Sequence, residues 1–277
     1  MKNVYVVYCF VWLLSAFNAQ AQKKEIVKIW ETEANLKVPE SVLWDKENKT
    51  LYFSNIDGES NTKDHKGSIG KMNADGKGVT VDWVSGPSAP KGMGVFGGML
   101  YVADVDEVVV IDIKKTKITQ RLPVEGAVFL NDVTIGDKGV VYVSDMRTGK
   151  IHLVENSKVK TLLEKLEGVN GLLAKGKDLY LLVNGTLWKC DETKKMTKIA
   201  DGLDDSTDGV EQTKSGDFIV SCWNGIMYYV KQDGTKTILL DTRAEKMNTA
   251  DIGFDAEKNR IYVPTFFGNK IVAYELK

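Results

Sequence analysis

Six short motifs recur along the chain, and four of them begin with an oxygen-bearing side chain. The carboxylates of Glu40 and Asp208 begin ESVLWD and DGVEQT, and the carboxamides of Asn131 and Asn170 begin NDVTIG and NGLLAK. Carboxylate and amide oxygens are ligands for Ca²⁺, Mg²⁺ and Mn²⁺, and neutral amides with a tolerant geometry favour Ca²⁺. If the fold brings these four side chains together, they can hold a divalent cation.

The two remaining motifs supply no oxygen ligand. KGMGVF begins at Lys91 and ADIGFD begins at Ala250. The two histidines lie elsewhere, His65 in a loop-like stretch and His152 in KIHLVE, which we interpret as an outer strand with a surface histidine. Because soft metals prefer nitrogen and sulfur ligands, this distribution gives little support to a soft-metal site.

The spacing of the motifs predicts the fold. Each motif is followed by β-branched and aromatic runs such as TLYFSN and VVYVSD, bounded by Gly, Asn, Asp and Lys, and no long segment has helical period. Successive motifs begin 51, 40, 39, 38 and 42 residues apart. A period of about 40 residues with about four strands per unit is typical of a propeller blade. We predict an all-β, six-bladed β-propeller, with a loop insertion at residues 58–67 explaining the long first step.

The sixth unit lacks one strand. After ADIGFD only RIYVPTF and KIVAYEL remain, whereas IVKIWETE, residues 26–33, precedes the first unit as an extra strand. We predict that this N-terminal strand completes the last blade, residues 250–277, because closure removes exposed sheet edges. Residues 22–277 are then a single propeller domain.

The first 21 residues have the pattern of a secretory signal peptide. One lysine precedes an apolar run from Val4 to Phe17, and Ala19-Gln20-Ala21 follows as a small-x-small cleavage site. The run is shorter than the roughly 20 residues of a spanning helix. We therefore expect cleavage after residue 21, a periplasmic or secreted protein, and no membrane anchor.

The distribution of charge gives no support to nucleic acid or a membrane as a partner. The 37 basic and 38 acidic residues are scattered, so no basic patch indicates binding to nucleic acid or to an anionic membrane. We expect a small-molecule ligand and a monomer.

The two cysteines that follow the signal-like segment are expected to be free. Export permits disulfides, but Cys190 and Cys222 lie in apolar strand-like runs, where two buried free thiols are expected.

The predicted propeller turns the six motifs into one site. The first strand of each blade lines the central channel, so the six motif starts should converge at one channel mouth. Composition leaves two interpretations of this ring open, a divalent-cation site and a hydrogen-bonded polar plug.

The chain resembles the family of senescence marker protein, gluconolactonase and luciferin-regenerating enzyme, whose six-bladed propellers also resemble diisopropyl fluorophosphatase and paraoxonase. The matching motifs are PESVLW, NDVTIGDKGVVYVSD, NGLLAKGKDLYLL and DGVEQTKSGDFIVSCW, in order and at blade spacing. The resemblance implies that Glu40, Asn170 and Asp208 bind one divalent cation, Ca²⁺ foremost, with Mg²⁺, Mn²⁺ or Zn²⁺ as alternatives. It also implies that Asn131 contacts both the substrate and a water at the metal.

Two departures from the family argue against a sugar-acid lactone as substrate. Lactonase members usually carry an arginine that holds a sugar hydroxyl two residues before the third-blade asparagine, and this chain has Phe129 there. The channel histidine of the fluorophosphatase and paraoxonase relatives has no well-placed equivalent. Lys91 adds a cation to the ring, where we expect it to bind substrate or, alternatively, to pair with Glu40 or Asp208.

The loops between the second and third strands of each blade should rise around the ring. They contain Arg147, Trp223, Phe266 and Phe267. We expect these side chains to form a wall that suits an apolar or aromatic substrate with an anionic or carbonyl group. The alternative is that the aromatic rings only pack blade edges.

Three functions are consistent with these residues. The first is a metal-dependent hydrolase of a lactone or related ester, in which Asp208 and Asn131 are catalytic and the cation polarises the carbonyl. The second is a propeller that binds a ligand or partner without catalysis, with a structural metal. The third is a lyase-type relative of strictosidine synthase, for which no acidic base can be named in the wall.

Overall fold

The computed structural model describes residue 1 and residues 24–277, so the predicted signal peptide lies, apart from its first residue, outside the described residues. The described chain forms six four-stranded antiparallel sheets. These sheets are the blades of a six-bladed β-propeller, which confirms the predicted fold. Within residues 24–277, no helix has the length and apolar character needed to cross a bilayer.

An N-terminal strand, β1 (Ile26–Glu31), precedes five blades that are each built from four consecutive strands, numbered from the channel outward. The strands of blades 1 to 3 are β2 (Pro39–Asp45), β3 (Thr50–Asn55), β4 (Ser68–Asn73), β5 (Thr80–Ser85), β6 (Pro90–Phe96), β7 (Met99–Asp104), β8 (Glu107–Asp112), β9 (Lys117–Pro123), β10 (Leu130–Ile135), β11 (Val141–Asp145), β12 (Lys150–Glu155) and β13 (Lys158–Leu163). Those of blades 4 and 5 are β14 (Val169–Lys175), β15 (Asp178–Val183), β16 (Thr186–Cys190), β17 (Met196–Ala200), β18 (Thr207–Gln212), β19 (Phe218–Cys222), β20 (Ile226–Val230) and β21 (Lys236–Asp241).

Blade 6 joins the two ends of the described chain. Its strands are β22 (Gly253–Asp255), β23 (Arg260–Pro264) and β24 (Ile271–Leu276), and β1 pairs antiparallel with β24 as the outermost strand. At the inner edge, Ser41 and Asp251 form a parallel bridge between blades 1 and 6. The predicted closure by the N-terminal strand is therefore confirmed.

A β-bulge near the start of the innermost strand aims two consecutive side chains into the channel. In blade 3, Leu130 is opposite Asp145 and Val133 is opposite Val143, so one extra residue lies on the inner strand. Blades 1, 2, 4 and 5 carry the same register shift. In blade 3 the freed N–H of Asp132 donates to Ser144 Oγ at 2.9 Å. A bulge re-aims side chains that strict alternation would send to opposite faces.

Apolar clusters between neighbouring blades form the core. The cluster between blades 1 and 6 packs Phe53 against Tyr262, and both side chains are fully buried. Trp30 of the closing strand lies over Tyr262, with 5.9 Å between the ring centres. Burial of apolar area is the main stabilising term in folding, so β1 stabilises the ring through packing as well as through backbone pairing.

Three expectations about cysteine and histidine side chains have different outcomes. Cys190 and Cys222 are buried free thiols, as predicted. His152 is only 2 % exposed, so its interpretation as a surface histidine was wrong. His152 lies on β12, the third strand of its blade. Its imidazole is next to Thr161 of β13, whose hydroxyl is 3.4 Å from His152 Nδ1. His65 is exposed, as expected.

Removal of residues 22–36 should prevent the propeller from closing. The truncated chain would expose the backbone edge of β24 and the aromatic surface around Tyr262, and exposed edges promote aggregation. We expect aggregated protein or a non-cooperative thermal melt, measured by size-exclusion chromatography and circular dichroism. A soluble monomer that melts cooperatively near the wild-type temperature would contradict the closure.

Candidate metal centre at the channel mouth

Five of the six motif-starting side chains line one cavity. Glu40, Lys91, Asn131, Asn170 and Asp208 share a cavity of about 370 Å³ at one mouth of the channel. We refer to these five side chains as the ring. The sixth position, residue 250, is a fully buried alanine in an apolar cluster with the side chains of residues 56 and 266.

Two buried oxygen atoms of the ring have no hydrogen-bond partner in the described part of the chain, residues 24–277. Asn170 Nδ2 donates a hydrogen bond to Asp208 Oδ1 at 2.9 Å, which leaves Asn170 Oδ1 buried with no protein donor. Glu40 Oε2 is buried and without a donor as well. An unsatisfied buried polar group costs about 1–3 kcal/mol, and more when it is charged. These two oxygens are therefore positioned for a ligand that supplies positive charge.

The ring would need an amide oxygen to hold a metal. Among residues 24–277, no three His, Cys, Asp or Glu side chains form a group that could hold a metal ion. The predicted set differs in composition, because it combines two carboxylates with a carboxamide. Such mixed oxygen sets bind hard cations such as Ca²⁺.

A second layer of carboxylates lies below the ring. Asp132 and Asp251 follow two of the motif starts in sequence and line the next part of the channel. Asp132 accepts backbone N–H groups of residues 133 and 172 at 2.6 Å each, and Asp251 accepts the hydroxyl of Ser41 at 2.6 Å. A Cβ at Gly92 would lie 2.4 Å from Asp132 Oδ1, and one at Gly209 would lie 2.6 Å from Asp251 Oδ1. Glycine leaves the space that these carboxylates occupy.

The sequence analysis missed these two aspartates. Both stand next to a motif-starting residue, in NDVTIG and ADIGFD. Strict strand alternation would direct Asp132 away from the channel, whereas the bulge of blade 3 directs it into the channel. Asp251 lies at the parallel bridge to Ser41 of blade 1. The signal that would have found both is the acidic residue at the second position of two motifs.

Burial and mutual repulsion raise the pKa values of these carboxyl groups. Burial, with the Asp208 and Asp132 carboxylates, raises the pKa of Glu40 well above its usual value, although Lys91 opposes the shift. Burial and the Asp132 carboxylate raise the pKa of Asp208 to about 7. Burial also raises the pKa of Asp132 to about 7. Burial and the carboxylates of Asp132, Glu40 and Asp208 raise the pKa of Asp251. The channel thus concentrates acidic groups that need protons or a cation as compensation.

Lys91 makes no ion pair in the described part of the chain, so the alternative that it pairs with Glu40 or Asp208 was wrong. Its Nζ donates to the carbonyl oxygens of Ser60 and Ala89 at 2.9 and 3.0 Å. Ser60 belongs to the insertion of residues 58–67, which reaches the cavity wall. Burial lowers the pKa of Lys91, and the carboxylates of residues 40 and 104 oppose that shift.

An aromatic lip borders the cavity on the side of blades 5 and 6. We define this lip as Trp223, Phe266 and Phe267, whose ring centres lie 4.7 to 6.0 Å apart in edge-to-face contacts. Trp223 and Phe266 line the cavity, and Phe267 is 67 % exposed. Phe266 has φ +48°, a left-handed conformation that costs a non-glycine residue about 1–3 kcal/mol. Such strain is often found at functional sites.

Arg147 takes a more peripheral position than the proposed wall requires. It is exposed and is not among the residues that line the cavity. Its guanidinium carbon lies 4.6 Å from the ring centre of Phe129, which does line the cavity. Arg147 therefore reaches the site through Phe129.

Acidic side chains at the ends of the second strands fix the loops that lead into the ring. Asp104 accepts the N–H groups of Ser88 and Ala89 at 2.8 and 2.7 Å, just before Lys91. Asp145 accepts the N–H groups of residues 128 and 129 at 2.9 and 3.1 Å, just before Asn131. These bonds hold the residues before each ring side chain in one conformation, which positions the ring.

The channel carboxyls should make stability depend on pH in chelating buffer. Burial raises the pKa of Glu211, lower in the channel, to about 8. The unfolded chain ionises near its usual value of 4.5, so the folded state holds the extra proton between these values and loses stability as pH rises. The free energy of unfolding should fall between about pH 5 and 8, as measured by urea titration.

The matched variants for that measurement are Glu211→Gln and Glu245→Gln. Glu211→Gln removes one half-buried titrating group and should flatten the decline with pH. Glu245 is exposed in a turn, so its substitution should leave the decline unchanged. A stability that rises over this range in chelator would contradict the raised pKa values.

Comparison with known proteins gives a family. The model of the SMP-30/Gluconolactonase/LRE-like region matches residues 38–210, which is more than half of the chain and contains every residue of the ring. A search of curated protein sequences found no significant match.

Solved structures share the fold at low identity. A streptogramin B lyase is 12 % identical with a TM-score of 0.64, covering 92 % of this chain and 98 % of its own. A luciferin-regenerating enzyme is 16 % identical with a TM-score of 0.65, covering 91 % and 95 %. A structural genomics protein of unknown function from Bacteroides thetaiotaomicron is 13 % identical with a TM-score of 0.70, covering 92 % and 76 %.

Likeness at these identities establishes architecture, and the family rests on the family model. The family model agrees with the resemblance drawn from the ring motifs. The chain belongs to the SMP-30/gluconolactonase/LRE-like family.

Proposed function

We propose that the protein is a divalent-metal-dependent hydrolase of a lactone or related ester, with Ca²⁺ as the preferred cation. The observation that carries this proposal is the pair of unpartnered buried oxygens, Glu40 Oε2 and Asn170 Oδ1, beside Asp208 on the wall of the cavity. Membership of a family that includes gluconolactonase supports a lactone or ester as the substrate class.

The ring fits a hard divalent cation. Glu40, Asn170 and Asp208 would hold it through oxygen atoms, two of which have no other partner. Two positive charges would also offset the repulsion that raises the pKa values of Glu40 and Asp208. When bound, such a cation polarises a carbonyl group and lowers the pKa of water.

Asp208 is the proposed general base. Its carboxyl is buried on the wall of the cavity, and a carboxylate within reach of a bound water can take its proton. Asn170 Nδ2 holds one carboxyl oxygen by a 2.9 Å hydrogen bond. That bond fixes the orientation in which Asp208 would take a proton from water.

Asn131 is the proposed substrate-positioning residue. Its carboxamide lines the cavity, and its Nδ2 has only a weak contact at 3.7 Å with the sulfur of Met146. The amide therefore keeps a donor and an acceptor for an ester and for water. Trp223 and Phe266 of the aromatic lip would hold an apolar portion of the substrate.

A ligand-binding propeller without catalysis is the second candidate. The observation that favours it is Phe129, which stands where lactonases of the family usually carry an arginine. In that case the cation would be structural and the cavity would hold a small molecule.

We also propose a location in the periplasm or the extracellular space, based on the signal-like first 21 residues. There we expect the protein to be a monomer.

Calcium should stabilise the folded protein. A cation that binds only the folded state adds RT ln(1 + [L]/Kd), about 2.7 kcal/mol at a hundredfold excess over Kd. Chelator should therefore lower the melting temperature, and Ca²⁺ should restore it. Glu40→Gln should weaken the response, whereas Glu211→Gln, lower in the same channel, should retain it. A melting curve that neither chelator nor Ca²⁺ moves would favour the polar plug.

Activity should depend on Asp208 and Asn131 in different ways. Asp208→Asn keeps the shape and one oxygen ligand but removes the base, so turnover of a responsive lactone or aryl ester should fall by roughly 10²–10⁴-fold. Asn131→Ala should reduce turnover while Ca²⁺ affinity stays near that of the wild type. Initial rates over a substrate panel, with calorimetric Ca²⁺ titration, measure both quantities.

The negative outcome of the panel is equally informative. If the wild-type protein binds Ca²⁺ but hydrolyses no lactone or ester at any pH between 6 and 9, the hydrolase proposal fails. The non-catalytic ligand-binding propeller then replaces it. Normal circular dichroism and melting of each variant must accompany the rates, so that misfolding is not mistaken for loss of a base.

A further inference from the structure

Lys91 is a buried cation that makes no direct ion pair within residues 24–277. It is 1 % exposed, and Glu40 and Asp104 act on it electrostatically without contacting Nζ. The partly buried Arg121 differs, since it forms ion pairs with Glu107 and Asp104. A buried charge without a direct partner is costly, and Glu40 and Asp104 offset this cost only from a distance, so a negative group facing Lys91 would add the contact that these residues do not make.

The position of the ammonium is fixed. Two of its three N–H groups donate to the carbonyl oxygens of Ser60 and Ala89, at 2.9 and 3.0 Å. The ring centre of Phe129 lies 4.5 Å from Nζ, which adds a cation–π contact. Within residues 24–277, the third N–H has no acceptor. Lys91 therefore has one donor to offer a ligand.

Its neighbours in the ring define where that ligand lies. Lys91 belongs to blade 2, between Glu40 of blade 1 and Asn131 of blade 3, and all three side chains line the same cavity. A carbonyl group held beside the metal ligands and Asn131 would have its oxygen in the region that Lys91 faces. Donors fixed before the reaction stabilise negative charge well because they need no reorganisation.

We propose that Lys91 is the anion-binding group of this cavity and that it stabilises the oxyanion formed during ester hydrolysis. This role rests on the proposed function. Water oxygen bonds to the carbonyl carbon while Asp208 takes the water proton, and the carbonyl π electrons move to oxygen. Lys91 donates a hydrogen bond to that oxyanion and keeps its own proton. The carbonyl then reforms, the ester C–O bond breaks, and the alkoxide leaves with the proton from Asp208.

The test compares an anionic tetrahedral analogue with a neutral ligand of similar size. Calorimetry at saturating Ca²⁺ would measure binding of methyl phenylphosphonate and of acetophenone to the wild type and to Lys91→Met. A hydrogen bond to a charged group contributes about 1.5–3 kcal/mol. The Kd of the phosphonate should therefore rise roughly 10- to 100-fold in the variant, and that of acetophenone should stay within about threefold.

Two variants separate anion binding from support of the insertion. Lys63→Met breaks the Lys63–Asp106 ion pair of 2.8 Å on the same insertion, without touching the ring. It should leave the affinity for phosphonate unchanged. Lys91→Arg keeps the charge and should retain part of that affinity. Three results would each overturn the proposal. Lys91→Met could lose affinity for phosphonate and acetophenone equally, Lys63→Met could lose as much phosphonate affinity as Lys91→Met, or the wild type could fail to bind phosphonate.

The same samples distinguish this proposal from the hydrolase proposal. If the wild type binds phosphonate through Lys91 but hydrolyses no ester, Lys91 is an anion-binding residue of a non-catalytic propeller. If the wild type hydrolyses an ester and Lys91→Met retains full turnover, the hydrolase proposal stands and the oxyanion role of Lys91 is refuted.

Discussion

Repulsion among carboxyl groups buried in one narrow channel is the constraint that governs this site. Glu40, Asp208 and Asp132 each raise the pKa of at least one other carboxyl in the channel, in addition to the effect of burial, and all three raise that of Asp251. Folding alone does not remove this cost. Hydrogen bonds offset it in the second layer, where Asp132 and Asp251 accept donors at 2.6 Å. In the ring, Glu40 Oε2 and Asn170 Oδ1 have no donor within residues 24–277, so protons or a bound cation would have to compensate the carboxylates there.

The propeller supplies the rigidity that keeps these groups together. Five bulged inner strands present ring side chains from blades far apart in sequence, and backbone bonds to Asp104 and Asp145 hold two of the entry loops. Closure by β1 completes the circle of interblade cores. Repulsion that would push an open sheet apart is therefore resisted by the whole ring of blades. A cation bound between blades 1, 4 and 5 would relieve the same repulsion.

The fold could be predicted from spacing alone, because strand period and blade period are local and repetitive. Convergence of Glu40, Asn131, Asn170 and Asp208 followed from topology, once the first strand of each blade was assigned to the channel. The aspartates of the second layer could not be predicted, since the direction of Asp132 depends on a bulge that breaks alternation and Asp251 is placed by a bridge between two blades. The partners of Lys91 were hidden for another reason. Its acceptors are backbone carbonyls, one of them in the insertion. The position of a backbone carbonyl cannot be inferred from the types of the side chains.

The central claim is that a divalent cation occupies the ring. Its most direct test is an anomalous diffraction map from crystals of the protein soaked with Mn²⁺, which shares the preference of Ca²⁺ for oxygen ligands. The account predicts one strong peak in contact with Glu40 Oε2, Asn170 Oδ1 and the Asp208 carboxylate. A map without a peak at the ring, or with its strongest peak elsewhere on the propeller, would contradict the account.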